Sequence, residues 1–564
     1  MFSGQWSRFK NALTRRNALI RHKPPPSQSS EAYLDPQLSI SDLDNDSVSD
    51  ALSYITIPDP SPSWTACSQV CFKWRVTALG TAALWTRVIL TTDAWAWRCI
   101  ERSKSMPLHI KTEIRDDAEE QTLLTVLEHI KDRIQTLDLQ FAVAPPSLLA
   151  VIALNHTYPI LRSLCVTITG YDSSETLSLY PDAYPMLERL QYRSNVRFVP
   201  TNLPEGLTSL EISNGLIGGV GWEMFRESLE CLVDLRILTL HEFSVPPDAS
   251  SRRLFLPYLV KLRLSGPPAD CGQFVKALDA PHIQRYRFTL RSVDNVQEMF
   301  EGIFGTLTRG PKTMSFYQQY SANSHWYTRC KPLPYPHPEL YLPTFLCFSY
   351  KDCVTPSAMK PDISFSWVRP LTDAEHAGIF TGLAMANSPA LSHVKVLALN
   401  EWECSPAGTW APLLRRVKGV RRLAISGPRT PVGLFWDLLT QLESVGSTPL
   451  LPRLEEIGLE EVDCSAGGWV AQDADVSMNS YSDRDGARLL DVLICYLEKR
   501  LRPLPRLKIM RSEGYSVSEM KLLRRLVGSV VWDGRDAMQG RYKLEGGGAV
   551  NHYLLAGREM SFNE

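Results

Sequence analysis

Residues 259–264 read Leu-Val-Lys-Leu-Arg-Leu, a phrase with apolar residues at positions one, four and six. In a β-strand, positions four and six lie two residues apart, so their side chains point to the same side of the sheet. Lys261 and Arg263 alternate with them and point to the other side. The phrase therefore predicts a strand with one buried apolar face and one exposed polar face.

This phrase recurs along most of the chain, at intervals of roughly 20 to 28 residues in its first seven copies, which is the range of leucine-rich repeats. The copies begin at Ile134, Leu161, Leu187, Leu207, Leu235, Leu259 and Ile283, and then at Val394, Val420 and Leu454. A unit of this kind covers its apolar side only by stacking on its neighbours. The pattern predicts an α/β fold, a leucine-rich-repeat solenoid with irregular repeats. Unrelated strands in an ordinary α/β domain are the alternative.

Changes in composition predict four segments. Residues 1–30 are a basic, proline-containing tail and linker predicted to be disordered. Residues 31–92 form a small all-α module, and residues 93–535 form the solenoid, with a proline-rich insertion near 302–380. Residues 536–564 form a flexible tail. The basic N-terminus could also be a mitochondrial presequence or a nuclear address.

The overall composition argues against several classes of partner. With a formal net charge of -1, the chain is not expected to bind nucleic acid or an anionic membrane. No apolar run approaches the roughly 20 residues of a membrane span. The 12 cysteines follow no regular spacing, which favours a reducing compartment, the cytoplasm or the nucleus.

A different pattern precedes the repeats. Apolar residues spaced three or four apart predict one face of a helix that ends near Gly80, namely Trp64, Cys67, Cys71, Trp74 and Ala78. Residues 67–75 read Cys-Ser-Gln-Val-Cys-Phe-Lys-Trp-Arg, and Leu84-Trp85 follows. This combination resembles the second half of an F-box. Together with Trp97 to Ser103 and the repeats, it is similar to fungal F-box-like proteins with leucine-rich repeats.

That resemblance implies a role in ubiquitination. The F-box-like module would dock on a Skp1-like adaptor of a cullin ubiquitin ligase, and the repeats would hold an unidentified target protein. The residues assigned to Skp1 contact or to the F-box core are Val70, Cys71, Trp74, Leu84 and Trp85. An F-box normally opens with Leu-Pro, whereas the corresponding stretch here begins Leu43-Asp44. A repeat scaffold for protein interaction, without ligase docking, is therefore the alternative.

No pattern nominates an enzyme. Cys67 and Cys71 have a spacing that can hold zinc, but no second Cys or His pair lies nearby, so core thiols are predicted. The glycines of 218–221 and 546–548 lack the Lys-Ser/Thr of a phosphate loop and are predicted to form turns. The sequence thus predicts no catalytic residue, metal or cofactor. An enzyme whose site assembles from distant loops is a second alternative.

The alternating polar residues of the central repeats are basic. The predicted target-binding residues on the concave face are Arg189, Arg193, Lys261, Arg263, Arg285 and Arg287. Such a band could receive an acidic or phosphorylated segment, because guanidinium groups suit phosphate geometry. Later copies carry Glu456 and Glu460 instead, so a solvated face of mixed charge is the alternative.

Overall fold

The computed structural model of the chain has mixed α/β structure with parallel strands. It describes residues 72–89, 93–141, 157–169, 181–194, 203–213, 220–246, 253–306, 313–320, 341–349, 363–367, 371–386, 389–400, 408–427, 432–443, 449–464, 488–512 and 514–532. The chain divides into two compact units, residues 1–216 with 224–235, and residues 217–223 with 236–564.

The first unit contains a parallel sheet whose strand order follows the sequence from β1 to β6. Its elements are α1 (Phe72–Gly80), β1 (Arg87–Ile89), α2 (Asp93–Arg102), β2 (Leu108–Ile114), α3 (Asp117–Ile130), β3 (Ile134–Phe141), β4 (Ser163–Ile168), β5 (Arg189–Ser194) and β6 (Ser209–Ser213). Short 3-10 turns lie at Ala82–Trp85, Lys131–Arg133 and Pro181–Ala183. The helix α4 (Val220–Glu230) crosses the sequence boundary of the two units.

The second unit begins with β7 (Ile237–His241), β8 (Leu254–Phe255), β9 (Lys261–Gly266), α5 (Pro268–Ala277), β10 (Leu278–Asp279), β11 (Arg285–Leu290) and α6 (Val296–Thr306). It continues with β12 (Thr313–Tyr320), β13 (Tyr341–Ser349), β14 (Ile363–Trp367), α7 (Asp373–Met385), a 3-10 turn at Pro389–His393, β15 (Val396–Asn400), α8 (Ala411–Leu414), β16 (Arg422–Ser426) and α9 (Val432–Glu443). It ends with β17 (Glu456–Glu460), α10 (Leu489–Lys499), β18 (Leu504–Met510), α11 (Val517–Leu526) and β19 (Val527–Trp532).

All ten copies of the predicted phrase form strands, and positions four and six of each are buried. In β9, Leu262 is 0% and Leu264 is 1% exposed, whereas Arg263 between them is exposed. An eleventh copy, which the sequence analysis did not identify, begins at Leu504 and forms β18, with Leu507 and Ile509 buried. Residues 530–532 lie in β19, the last strand of the described residues.

The repeated structure begins three residues before the sequence phrase. Before nine strands, the amide of position one donates to the carbonyl of the residue three earlier. The donor–acceptor pairs are Leu161–Tyr158, Leu187–Tyr184, Leu207–Pro204, Leu235–Leu232, Leu259–Leu256, Ile283–Ala280, Val394–Leu391, Val420–Val417 and Leu454–Leu451. Most of these earlier residues are themselves buried and apolar. The repeated unit is therefore a tight turn that leads into a strand.

Neighbouring units are joined by carbonyls that each accept two amides. The carbonyl of Arg236 accepts from Val260 at 2.8 Å and Lys261 at 2.9 Å, and that of Val260 accepts from Gln284 at 2.9 Å and Arg285 at 3.1 Å. The same arrangement occurs at the carbonyls of Arg162, Glu188, Lys395 and Arg421. Each turn is thereby fixed to the next turn before the strands begin to pair.

The far ends of five strands share a positive φ. The residue two positions after position six has a positive φ in five copies, at Glu242, Gly266, Gly427, Glu461 and Arg511. This region is open to glycine but costs other L-residues about 1–2 kcal/mol. A positive φ therefore recurs at the same position after these five strands, with similar values at Glu242, Glu461 and Arg511.

The segment predicted as an insertion, residues 302–380, contributes three strands to the sheet. The strands after β11 are paired in the order β14, β13, β12, β15. Met314 in β12 and the pair Ile363 and Phe365 in β14 are fully buried. Among the described pairings of the second unit, only those of β13 are antiparallel. The proline-rich stretch 331–338 lies outside the described residues.

Three helices pack closely through glycine. A Cβ on Gly272 of α5 would lie 2.8 Å from the Cα of Met299 in α6, and one on Gly382 of α7 would lie 2.9 Å from Cγ1 of Val296. By contrast, Gly378 is exposed in the middle of α7 and has no heavy atom within 4 Å of its ideal Cβ position. Gly272 and Gly382 thus permit close contact between helices, whereas Gly378 takes no part in such a contact.

We expect Gly272→Ala to lower the free energy of unfolding by about 1–3 kcal/mol, because its methyl group meets backbone and not a mobile side chain. The matched control Gly378→Ala should raise it by about 0.5–1 kcal/mol through helix propensity alone. Urea denaturation followed by circular dichroism measures both. Equal effects of the two substitutions would contradict this packing.

His376 in α7 makes the second unit sensitive to acid. His376 is only 3% exposed, and burial lowers the pKa of its imidazole from 6.5 to about 4. As the pH falls below 6.5, the unfolded chain binds a proton that the folded chain excludes, so stability falls between pH 6.5 and 4. From pH 7.5 to 5 the loss is about 2 kcal/mol.

Replacing the ionisable group, as in His376→Leu, should remove that part of the pH dependence. The free energy of unfolding at the two pH values is the measurement, and His282→Gln is the control because His282 is exposed. If His376→Leu and the wild type lose the same stability between pH 7.5 and 5, this account of His376 is wrong.

Candidate functional site

The F-box-like residues that the structure describes form a small core. Trp74 and Leu84 are each 2% exposed, and Trp85 is 3% exposed. The indole Nε1 of Trp85 donates to the carbonyl of Ala78 at 2.9 Å, which ties the 3-10 turn to α1. The Arg102 guanidinium lies 4.4 Å from the centroid of the Trp85 ring. Val70 and Cys71 lie outside the described residues.

The opposite side of α1 is apolar and exposed. Phe72 is 81%, Val76 is 52% and Leu79 is 40% exposed. Their spacing of four and three residues places them in one stripe along the helix. The sequence analysis identified only the buried face. A signal was present, because apolar residues on both sides of a short helix indicate that both sides are covered in some state.

The second candidate surface, here called the basic ladder, consists of Lys261, Arg263, Arg285 and Arg287 in the second unit. In the pairing of β9 with β11, Lys261 lies opposite Arg285 and Arg263 opposite Arg287. Arg263, Arg285 and Arg287 are exposed, and Lys261 is partly exposed. Neighbouring parallel strands lie about 4.8 Å apart and alternate residues about 6.6 Å apart. The four cationic side chains therefore lie in one compact patch of the sheet surface.

On β17 and its two neighbouring strands, basic residues are instead matched by carboxylates. In the second unit, Glu456 lies 3.8 Å from Arg422 and 3.9 Å from Arg506 on the two flanking strands. Glu460 pairs with Arg511. No hydrogen bond or ion pair joins any member of the basic ladder to another side chain in the described part of the chain. The ladder is thus distinct from the paired charges on the same sheet.

The remaining two predicted target-binding residues lie in the first unit, on β5. Arg193 donates to Glu211 from Nε at 2.9 Å and from Nη2 at 2.7 Å. Arg189 is exposed, and its strand neighbours at the same register are Ser163 and Ser209. The structure therefore brings together four of the six predicted basic residues, and Arg193 is neutralised.

Burial shifts the pKa of several thiol groups, and one buried carboxylate is bonded to the backbone. Burial raises the pKa of Cys99 to about 11 and that of Cys165 to about 12, so both thiols are protonated at neutral pH. Asp437 accepts hydrogen bonds from the amides of Trp410 at 2.8 Å and Ala411 at 3.0 Å. Its carboxylate is thus engaged with the backbone at the start of α8.

Two further observations are confined to the described residues. They contain no group of three or more His, Cys, Asp or Glu side chains that could hold a metal ion. None of their helices is long and apolar enough to span a membrane. Cys67, Cys71, Gly218, Gly219 and residues 546–548 lie outside the described residues. The prediction of a turn is wrong at Gly221, which lies in the first turn of the helix α4.

Comparison with known proteins gives no assignment for either surface. No protein-family model matches the chain, and no curated protein matches it.

Proposed function

We propose that this chain is the substrate-recognition subunit of a Skp1–cullin–F-box ubiquitin ligase. The segment around α1 docks on a Skp1-like adaptor, and a leucine-rich-repeat solenoid holds the target protein. The chain makes and breaks no bond in this proposal: it acts by raising the effective concentration of the target at the ligase.

One observation carries the docking half of the proposal, namely the exposed stripe of Phe72, Val76 and Leu79 on α1. Phe72 alone leaves four fifths of its surface in water, although Trp74 two residues later is buried. An apolar stripe beside a fixed tryptophan core is typical of a surface that another protein covers. This stripe lies within the stretch that resembles an F-box.

The repeat half rests on the turn–strand unit and its shared carbonyls. Regular stacking of one short unit is the construction principle of solenoids, which offer an extended exposed face to partners. The exposed face here is formed by alternating strand residues, including Arg263 and Arg287. A repeat scaffold that does not dock on a ligase shares this half and differs only in the role of α1.

Capture of the purified chain on immobilised Skp1 separates the two functions. We expect wild-type binding, and a loss of at least tenfold in affinity for Phe72→Glu combined with Val76→Glu, because charges would enter an apolar contact. Since both side chains are exposed, the double variant should keep its stability within about 0.5 kcal/mol. Trp74→Ala and Leu84→Ala are less useful, since they open cavities in the core.

Val233→Glu is the matched control, because Val233 is an apolar residue of the same unit that is 55% exposed. It should bind Skp1 like the wild type. No capture of the wild-type chain would favour the scaffold without ligase docking. If the variant with both α1 substitutions binds Skp1 as tightly as the wild type, the contact belongs to another surface.

A further inference from the structure

Within the described part of the chain, the basic ladder has no carboxylate that neutralises its charge. Like charges placed directly opposite on paired strands repel each other, and Lys261–Arg285 and Arg263–Arg287 are two such pairs in succession. On β17 of the same unit, Glu456 lies between two arginines and removes this repulsion. The exposed charges at β17 are therefore neutralised, whereas the four cations on β9 and β11 are not. The surface of β9 and β11 is suited to binding an anion.

Hydroxyl groups surround the upper pair of the ladder. At the level of Arg263 and Arg287, the flanking strands place Thr239 of β7 and Ser364 of β14. Two residues further along these strands, the aligned residues are Ser265, Thr289 and Ser366. Thr239 and Ser364 are short and buried, at 3% and 9% exposure, so the exposed groups at this level are the guanidinium groups of the ladder.

From this arrangement we infer that the basic ladder binds a phosphorylated segment of the target protein, with the phosphate held between Arg263 and Arg287. The inference rests on the proposed target-binding role of the repeats and names the chemistry of the target. Guanidinium groups bind phosphate oxygens in pairs, and charge-assisted bonds of this kind are the strong ones.

The lower pair sets a second requirement. Lys261 and Arg285 lie two residues before Arg263 and Arg287 on their strands, about 6.6 Å away. An extended peptide also advances about 6.6 Å in two residues. A peptide running along the strands with its phosphate at the upper pair therefore places the side chain two positions away at the lower pair. That side chain should be acidic.

The geometry favours a peptide over a nucleic acid. The ladder extends across only two strands, whereas a nucleic-acid backbone carries charge at every step and needs a longer basic track. Further along the same sheet face, Glu456 and Glu460 provide carboxylates. The chain as a whole has a formal net charge of -1.

The experiment uses the full-length chain and an immobilised peptide library with one fixed phosphoserine and randomised flanking positions. We expect selection of Asp or Glu two positions from the phosphoserine. For a fluorescent peptide made to that pattern, removal of the phosphate should weaken binding at least tenfold, as should Arg263→Gln combined with Arg287→Gln. Arg422→Gln is the control, because Arg422 is an exposed cation on the same face that already faces Glu456. It should change affinity less than twofold.

Thermal unfolding provides a second readout. Because the double substitution relieves repulsion, it should leave the melting temperature unchanged or higher while binding is lost. Binding that does not depend on the phosphate overturns the inference, as does an equal loss with Arg422→Gln or tighter binding of a poly-uridine oligonucleotide. The assay contains no Skp1, so failure of peptide binding with intact Skp1 capture rejects this inference alone. Intact peptide binding with failed Skp1 capture rejects ligase docking alone.

Discussion

The interaction on which the rest of the structure depends is the carbonyl that accepts two amides, which occurs at the entrance to six of the described strands. Burying one face of a strand does not fix where the next strand lies, because apolar contacts are not directional. A carbonyl such as that of Arg236, bonded to the amides of Val260 and Lys261, does fix it. Hydrogen bonds have preferred distances and angles, so each turn sets the register of its successor. Strand pairing and the alternation of buried and exposed residues follow from that register.

This division of roles explains why the exposed face can vary. The backbone and the buried leucines hold the units together, so the outward side chains are not needed for stacking. At β17 they form ion pairs with both neighbours, and at β9 and β11 they form an uncompensated cluster of cations. The same frame therefore carries a charge-matched surface and an anion-attracting one. Specificity for a partner can reside in the outward residues without a change of fold.

The sequence predicted the features that have a period and missed those that depend on contacts between distant residues. Every predicted strand phrase and the end of α1 at Gly80 are confirmed, because each is local. The pairing order β11, β14, β13, β12 has no local signature. The exposed stripe on α1 was missed because the apolar residues on its other face alone satisfied the helical pattern. The basic ladder was predicted as residues, but its isolation from carboxylates required coordinates.

Amide hydrogen exchange tests the central interaction directly. Six amides that donate to shared carbonyls immediately precede their strands, at Glu188, Thr208, Val260, Gln284, Arg421 and Glu455. Residues before a strand ordinarily exchange fast because no ladder bond protects them. If the shared carbonyls join the units, these six amides exchange as slowly as those in the middle of the strands. Exchange of these amides at the rate of exposed loops, with the strand interiors protected, would contradict the account.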